Sequence, residues 1–157
     1  MTTTPTAAPL RVRWLNPIGF NAYDRPIGEL LATIKQPGTV VEVVSFELPQ
    51  SPTHLEYRSY EALMAARIVE CTRDAAQAGV DAMVIGCFYD PFIEDAREIS
   101  GNTVVVAPCG ACLSVATQLA NRFSILVGRD KWVDQMRERV KWYGVEDRLA
   151  SFRSLGM

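Results

Sequence analysis

Short β-branched apolar runs alternate with helix-length segments along almost the whole chain, and no other feature restricts the possible folds as much. Arg11–Leu15 has apolar residues at alternate positions and is closed by the turn signal Asn16-Pro17. Thr39–Phe46 (TVVEVVSF), Asp81–Gly86, Thr103–Ala107 and Phe123–Val127 are further runs of strand character, and Arg148–Leu155 begins another. Between them lie segments with helical signals. A helix is predicted from Pro26 to about Lys35, stopped by Pro37-Gly38. Ser59–Ala78 carries Leu63, Ala66, Ile68, Val69, Ala75 and Ala76 at helical spacing and is stopped by Gly79. Shorter helices are expected over Pro91–Ser100, from about Gly110 to Ala120, and over Asp130–Tyr143 with Gly144 as the stop. Glu47–Arg58 holds Pro49 and Pro52 and reads as a loop.

Strands that alternate with helices pair in parallel through helical crossovers, so the expected fold class is an α/β parallel-sheet sandwich. Such a sheet binds ligands beyond the carboxyl ends of its strands, near the point where strand order reverses. Four loops then share one rim: Asn16–Asp24, Glu47–Arg58, Cys87–Pro91 and Pro108–Cys112. Cys87 is expected at a strand tip facing a cleft. A free cysteine there is either a small hydrophobe packed inside or a thiol placed for chemistry. Gly86 before it allows close backbone approach. Asp90-Pro91 reads as an N-cap and first residue of the next helix. Backbone N–H groups from Phe88 onward are then placed to surround an anion or to lower the thiol pKa from about 8.5.

Composition excludes some classes of function. The net charge of −2 provides no global basic footprint for nucleic acid, and no apolar stretch approaches membrane-spanning length. Residues 1–10 are Thr-, Ala- and Pro-rich, lack the pattern of a signal peptide, and read as a disordered lead-in. Four cysteines (Cys71, Cys87, Cys109, Cys112) without an export signal fit reduced thiols and a cytoplasmic location. One histidine, His54, rules out a His-rich metal site, and cysteine-only zinc needs all four thiols to converge. His54 itself is read as facing solvent. The C-x-x-C in "PCGAC" stays open between a structural role, a redox dithiol or metal ligand, and substrate contact. Trp132, Val133, Met136, Val140 and Trp142 fit helix packing, and Arg137–Arg139 with Lys141 a solvated helix face.

The stretch "DAMVIGCFYDPFIEDAREIS" resembles the segment around the first catalytic cysteine of the aspartate/glutamate/hydantoin racemase superfamily, in its hydantoin racemase-like branch. "WLNPIG" resembles that family's first strand and Asn-Pro substrate loop. "VVVAP" before a helix, and "ANRFSILVG" before another, follow the family's order of elements. The resemblance implies proton transfer, without cofactor or metal, at a Cα next to a carbonyl. One cysteine removes the proton as thiolate and a second delivers one to the far face as thiol. By this match Cys87 is one of the pair. Asn16, Phe88, Tyr89, Cys109 and Gly110 are the expected substrate contacts, with Asn16 holding a carboxylate or imide oxygen. The second cysteine of relatives lies in their second half, so this chain reads as residues 11–115 of a first lobe plus 116–157 of an incomplete second lobe. Where relatives carry a hydroxyl residue after their Asn-Pro loop, this chain has Ile18, Gly19 and Phe20.

The expected function is therefore that of a racemase or isomerase acting on a hydantoin- or amino-acid-type small molecule. The alternatives are a non-catalytic binding relative, a truncated relative, or a decarboxylase that needs a single thiol. A homo-oligomer is expected to cover the exposed half-lobe.

Overall fold

The computed structural model describes residues 8–47, 49 and 51–157. Of the proposed lead-in, residues 1–7 lie outside the described residues, and Leu10 already belongs to the first strand. The elements run β1 (Leu10–Asn16), α1 (Asp24–Ile34), β2 (Thr39–Ser45), α2 (Arg58–Gln77), β3 (Ala82–Ile85), α3 (Ile93–Ile99), β4 (Val104–Val106), α4 (Pro108–Leu119), β5 (Phe123–Val127), α5 (Trp132–Trp142), a 3-10 turn (Glu146–Arg148) and β6 (Leu149–Ser154).

Two parallel sheets result. The first has strand order β2-β1-β3-β4, and the second is the pair β5-β6. β1 is central: Val12 lies beside Val41 on one side and Ala82 on the other. The chain leaves β1 toward β2 and then returns to the opposite side as β3. The strand order therefore reverses between β1 and β3, where an open α/β sheet forms its ligand crevice.

The first core contains Leu15, Met83 and Ile85 from the sheet, with Met64, Ile68 and Ala75 from α2 and Ile93 and Ala96 from α3. On α2 the buried residues are Met64, Ile68, Thr72 and Ala75, a stripe at helical spacing. Burying each Met or Ile of that stripe stabilises by roughly 1.5–3 kcal/mol. Thr72 fits within it because its hydroxyl donates to the Ile68 carbonyl at 2.9 Å. The second core joins Cys109 and Leu113 of α4, Ile125 and Val127 of β5, and Met136 and Val140 of α5. Residue 115 falls inside α4, and the buried residues of that helix belong to the second core.

Four helix starts lie two residues from those read in the sequence: α1 begins at Asp24 and α5 at Trp132, and α3 and α4 differ as follows. α3 begins at Ile93, not at Pro91. Asp90 and Phe92, on either side of Pro91, both take positive φ, at 49° and 54°, which no helix continues through. α4 begins two residues earlier than predicted, with Pro108 in its first turn.

Candidate active site

A cleft of about 430 Å3 lies at the ends of β1 and β3, and Asn16, Pro17, Gly86 and Cys87 form its floor. Gly86 N–H donates to the Leu15 carbonyl at 2.7 Å, and Cys87 N–H turns back to the Ile85 carbonyl at 2.8 Å. The chain thus bends sharply where β3 ends and sets the Cys87 side chain on the cleft floor. Gly86 is required by close approach: a Cβ there would stand 2.3 Å from Trp14 Nε1.

Cys87 is half-buried and packs against the first core. Its thiol is pushed up to about 12, first by burial and then by the negative charges of Glu61 and Asp90. The Tyr89 backbone N–H and the Arg139 guanidinium act the other way and are outweighed. The expected lowering by turn N–H groups is therefore present but loses to desolvation. At neutral pH Cys87 is a thiol.

Asp90 does not cap α3. It is fully buried (0% exposed), and its carboxylate accepts from Cys109 N–H at 2.8 Å, Gly110 N–H at 2.7 Å and the Tyr143 hydroxyl at 2.6 Å. It caps α4 from a distance, satisfying two of that helix's free N–H groups and favoured by the positive end of its dipole. It also ties the loop after β3 to the C-terminal end of α5.

With this geometry in place, the comparisons with known proteins are decisive about kinship. The profile of the Asp/Glu/Hydantoin racemase family matches residues 15–157. The chain belongs to this family. It is 30% identical over 107 residues to a hydantoin racemase of Rhizobium meliloti, covering 68% of this chain and 44% of the relative. It is 26% identical over 148 residues to a hydantoin racemase of Pseudomonas sp. (strain NS671), covering 94% of this chain and 58% of the relative. Its fold superposes on allantoin racemase from Klebsiella pneumoniae with a TM-score of 0.81 and 28% identity, over 92% of this chain and 58% of that one. The chain thus covers 44–60% of the length of the curated relatives it matches.

In this member of the racemase family the residues singled out from sequence do not all converge. Asn16, Cys87, Phe88 and Tyr89 line the cleft; Cys109 and Gly110 do not. Cys109 is fully buried in the second core, its thiol pushed up to about 12 by burial and by the Asp90 charge, and Gly110 sits under Tyr143. Their N–H groups serve Asp90 instead of a ligand. The Asn16 amide nitrogen is also engaged: it donates to Ser45 Oγ at 3.0 Å and to the Phe20 carbonyl at 3.3 Å, holding the first loop. His54 lines the open cleft and stays partly exposed, its ring 5.1 Å from that of Tyr60 and its Nδ1 accepting from Glu56 N–H at 3.3 Å. Cys112 is exposed, and among the described residues no group of three or more His, Cys, Asp or Glu is placed to hold a metal ion. Arg139, read as solvated, pairs with Glu94 at 3.1 Å.

Sequence reasoning missed the far wall. Leu126, Gly128, Trp132 and Met136 line the cleft from the second lobe. Trp132 and Met136 lie four residues apart on one helical face, which reads equally well as core. The chemical signal lies in the indole nitrogen of Trp132, which needs a partner that an ordinary core does not supply. Among the described residues, no helix is long and apolar enough to cross a membrane.

Proposed function

We propose that this protein binds a small molecule with an acidic Cα–H next to a carbonyl, and that Cys87 moves a proton at that carbon without a cofactor. The observation that carries this reading is the Cys87 thiol on the floor of the switch-point cleft, in a chain of the racemase family. The matched relatives named as hydantoin racemases indicate a hydantoin- or amino-acid-type substrate. As thiol, Cys87 gives its proton to an enolate-like carbanion and becomes thiolate. In the reverse direction the thiolate takes the Cα proton and the carbanion is left. A thiol held near 12 yields a thiolate that is a strong base once formed.

Among the described residues Cys87 is the only cysteine lining the cleft. One thiol serves one face of the substrate carbon. Exchange of the Cα proton is therefore expected with retention of configuration. A single donor also suits the second reading, a decarboxylase that protonates a carbanion from one side. The test is deuterium incorporation at Cα from D2O, followed by NMR for 5-substituted hydantoins and free amino acids. Wild type should exchange and Cys87→Ala should not, while both remain folded. Exchange that survives in Cys87→Ala would remove the thiol from the mechanism. Binding without exchange would leave a binding protein.

A further inference from the structure

Asn16 ends β1 on the cleft floor, and its side chain is oriented from outside the cleft. Its amide nitrogen donates to Ser45 Oγ at 3.0 Å and to the Phe20 carbonyl at 3.3 Å. Ser45 Oγ in turn donates to Asp24 Oδ1. Asp24 and Ser45 line a separate groove beside β2, to which Asn16 does not contribute, whereas Asn16 lines the cleft and they do not. The three residues therefore form a line of hydrogen bonds that leads from that groove to the cleft.

The direction of each bond in this line is forced. A carboxylate only accepts, so the Ser45 hydroxyl uses its one proton on Asp24. Toward Asn16 it can then only accept, as can the Phe20 carbonyl. The two ends of a side-chain amide are alike in shape, and here the neighbours decide which way it lies. The end that meets both acceptors must be the nitrogen, so both of its N–H bonds are used and Oδ1 is the end left over. Among the described residues no donor reaches Oδ1, yet it is not one of the sealed, unpartnered side-chain atoms, which are Trp14 Nε1, Tyr89 Oη and Trp132 Nε1. Oδ1 thus keeps accessible surface, and the open space that Asn16 lines is the cleft. Leu15 pairs with Ile85 in parallel register, so Asn16 and Gly86 stand at adjacent strand ends, about 4.8 Å apart, with Cys87 next in the chain. An acceptor and a thiol share the floor.

We propose that Asn16 Oδ1 accepts a hydrogen bond from an N–H of the ligand, and that Ser45 and Asp24 are positioning residues that hold the amide in this polarity. This rests on the small-molecule reading above and assigns its cleft a fixed acceptor. It reverses the role implied by the family resemblance, in which Asn16 holds a carboxylate or imide oxygen. An amide whose two N–H bonds are already used has none to give to an oxygen.

NMR of the asparagine side chains tests this. The chain has four asparagines (Asn16, Asn21, Asn102 and Asn121), so 13C,15N-asparagine labelling gives four carboxamide groups, and that of Asn16 is assigned through its backbone link to Leu15. In ligand-free wild type its N–H protons should exchange with water at least about tenfold more slowly than those of exposed Asn21, and Ser45→Ala should remove most of that protection. Titration with 5-benzylhydantoin should move the Asn16 13Cγ signal downfield, while that of exposed Asn102 stays in place. Of its 1-methyl and 3-methyl derivatives, at least one should bind wild type about tenfold more weakly than the parent. Ser45→Ala, and Asp24→Ala from outside the cleft, should each narrow that difference to within about threefold, because the amide is then free to turn. A merely structural role would weaken all three compounds alike. The proposal is overturned if the hydantoin binds while the Asn16 signal stays still, if both methyl derivatives bind as tightly as the parent, or if the difference persists in Ser45→Ala. A shifted Asn16 signal without Cys87-dependent exchange would uphold the acceptor and reject the proton transfer. A wild type that binds none of the three would overturn both.

Discussion

A thiol that remains protonated to about 12 makes stability depend on pH in a definite direction. Cys87 and Cys109 are both raised to about 12, in each case chiefly by burial. Unfolding exposes them to water and returns them to the ordinary thiol range, near 8.5. Below that range both states hold the protons, and the neutral-thiol contribution is fully present. Above it the unfolded chain releases protons that the native state retains, so stability falls as pH rises from about 9 toward 12. Urea midpoints measured at pH 8 and pH 10 should show this loss, and Cys87→Ala should flatten the slope. A slope unchanged in that variant would mean that Cys87 titrates alike in both states. The position of Cys87 was legible because Met83-Val84-Ile85 ends abruptly in Gly86. Its protonation was not, because burial is set by the first core, whose β1 and α2 residues are remote in sequence. Cys109 misled for a related reason. A cysteine near a helix start suggests an open rim, yet here that turn faces inward onto Asp90 and the second core.

At the scale of elements, α4 depends on a carboxylate from outside its own sequence. Local reading assigned Asp90 to the helix that follows it, since Asp-Pro before a helical run is a common start signal. The partners that decide the matter are 19, 20 and 53 residues away, at Cys109, Gly110 and Tyr143. Asp90→Asn replaces one acceptor with a donor that faces N–H or O–H groups, at a fully buried position. It should lower unfolding free energy by roughly 2–3 kcal/mol, read from urea denaturation. Tyr143→Phe leaves both backbone N–H groups satisfied and should cost only about 1 kcal/mol. Equal costs for the two variants would show that the link to α5, and not the cap, is what Asp90 supplies. The helices themselves were largely legible, because Gly79 and Gly144 end α2 and α5 with positive φ, at 70° each. The starts were less so: Phe92 in the left-handed region has no local sequence signal.

Over the whole molecule, the order of alternating elements revealed the parallel sheet, but not how the two sheets meet across the cleft. That contact is largely polar and comes from loops and from the facing helices α2 and α5. Glu56, just ahead of α2, pairs with Arg129 and Lys131, and Lys131 Nζ lies 3.4 Å from the centroid of the Tyr57 ring. Arg58 pairs with Glu138 at 2.8 Å, and Gln135 donates to Glu61 at 3.2 Å. On its other side the Gly128–Arg129 turn is held by the end of the chain, where Met157 N–H donates to the Gly128 carbonyl at 2.9 Å. Pairings such as these, between elements remote in sequence, leave no periodic pattern for sequence reading to find. Exposed ion pairs contribute about 0–1 kcal/mol, so they add little to global stability. Their leverage is local, because Thr53–Glu56 and Gly128–Trp132 form facing walls of the cleft. Glu56→Gln should therefore leave the urea midpoint within about 1 kcal/mol of wild type. It should also speed amide hydrogen exchange at residues 53–57 and 128–132. Raising salt to about 1 M, where screening acts within about 3 Å, should reproduce that local effect in the wild type and add little in the variant. Exchange that is unchanged in both would show that packing of Trp132 against Gly128, and not the charge pair, holds the two walls together.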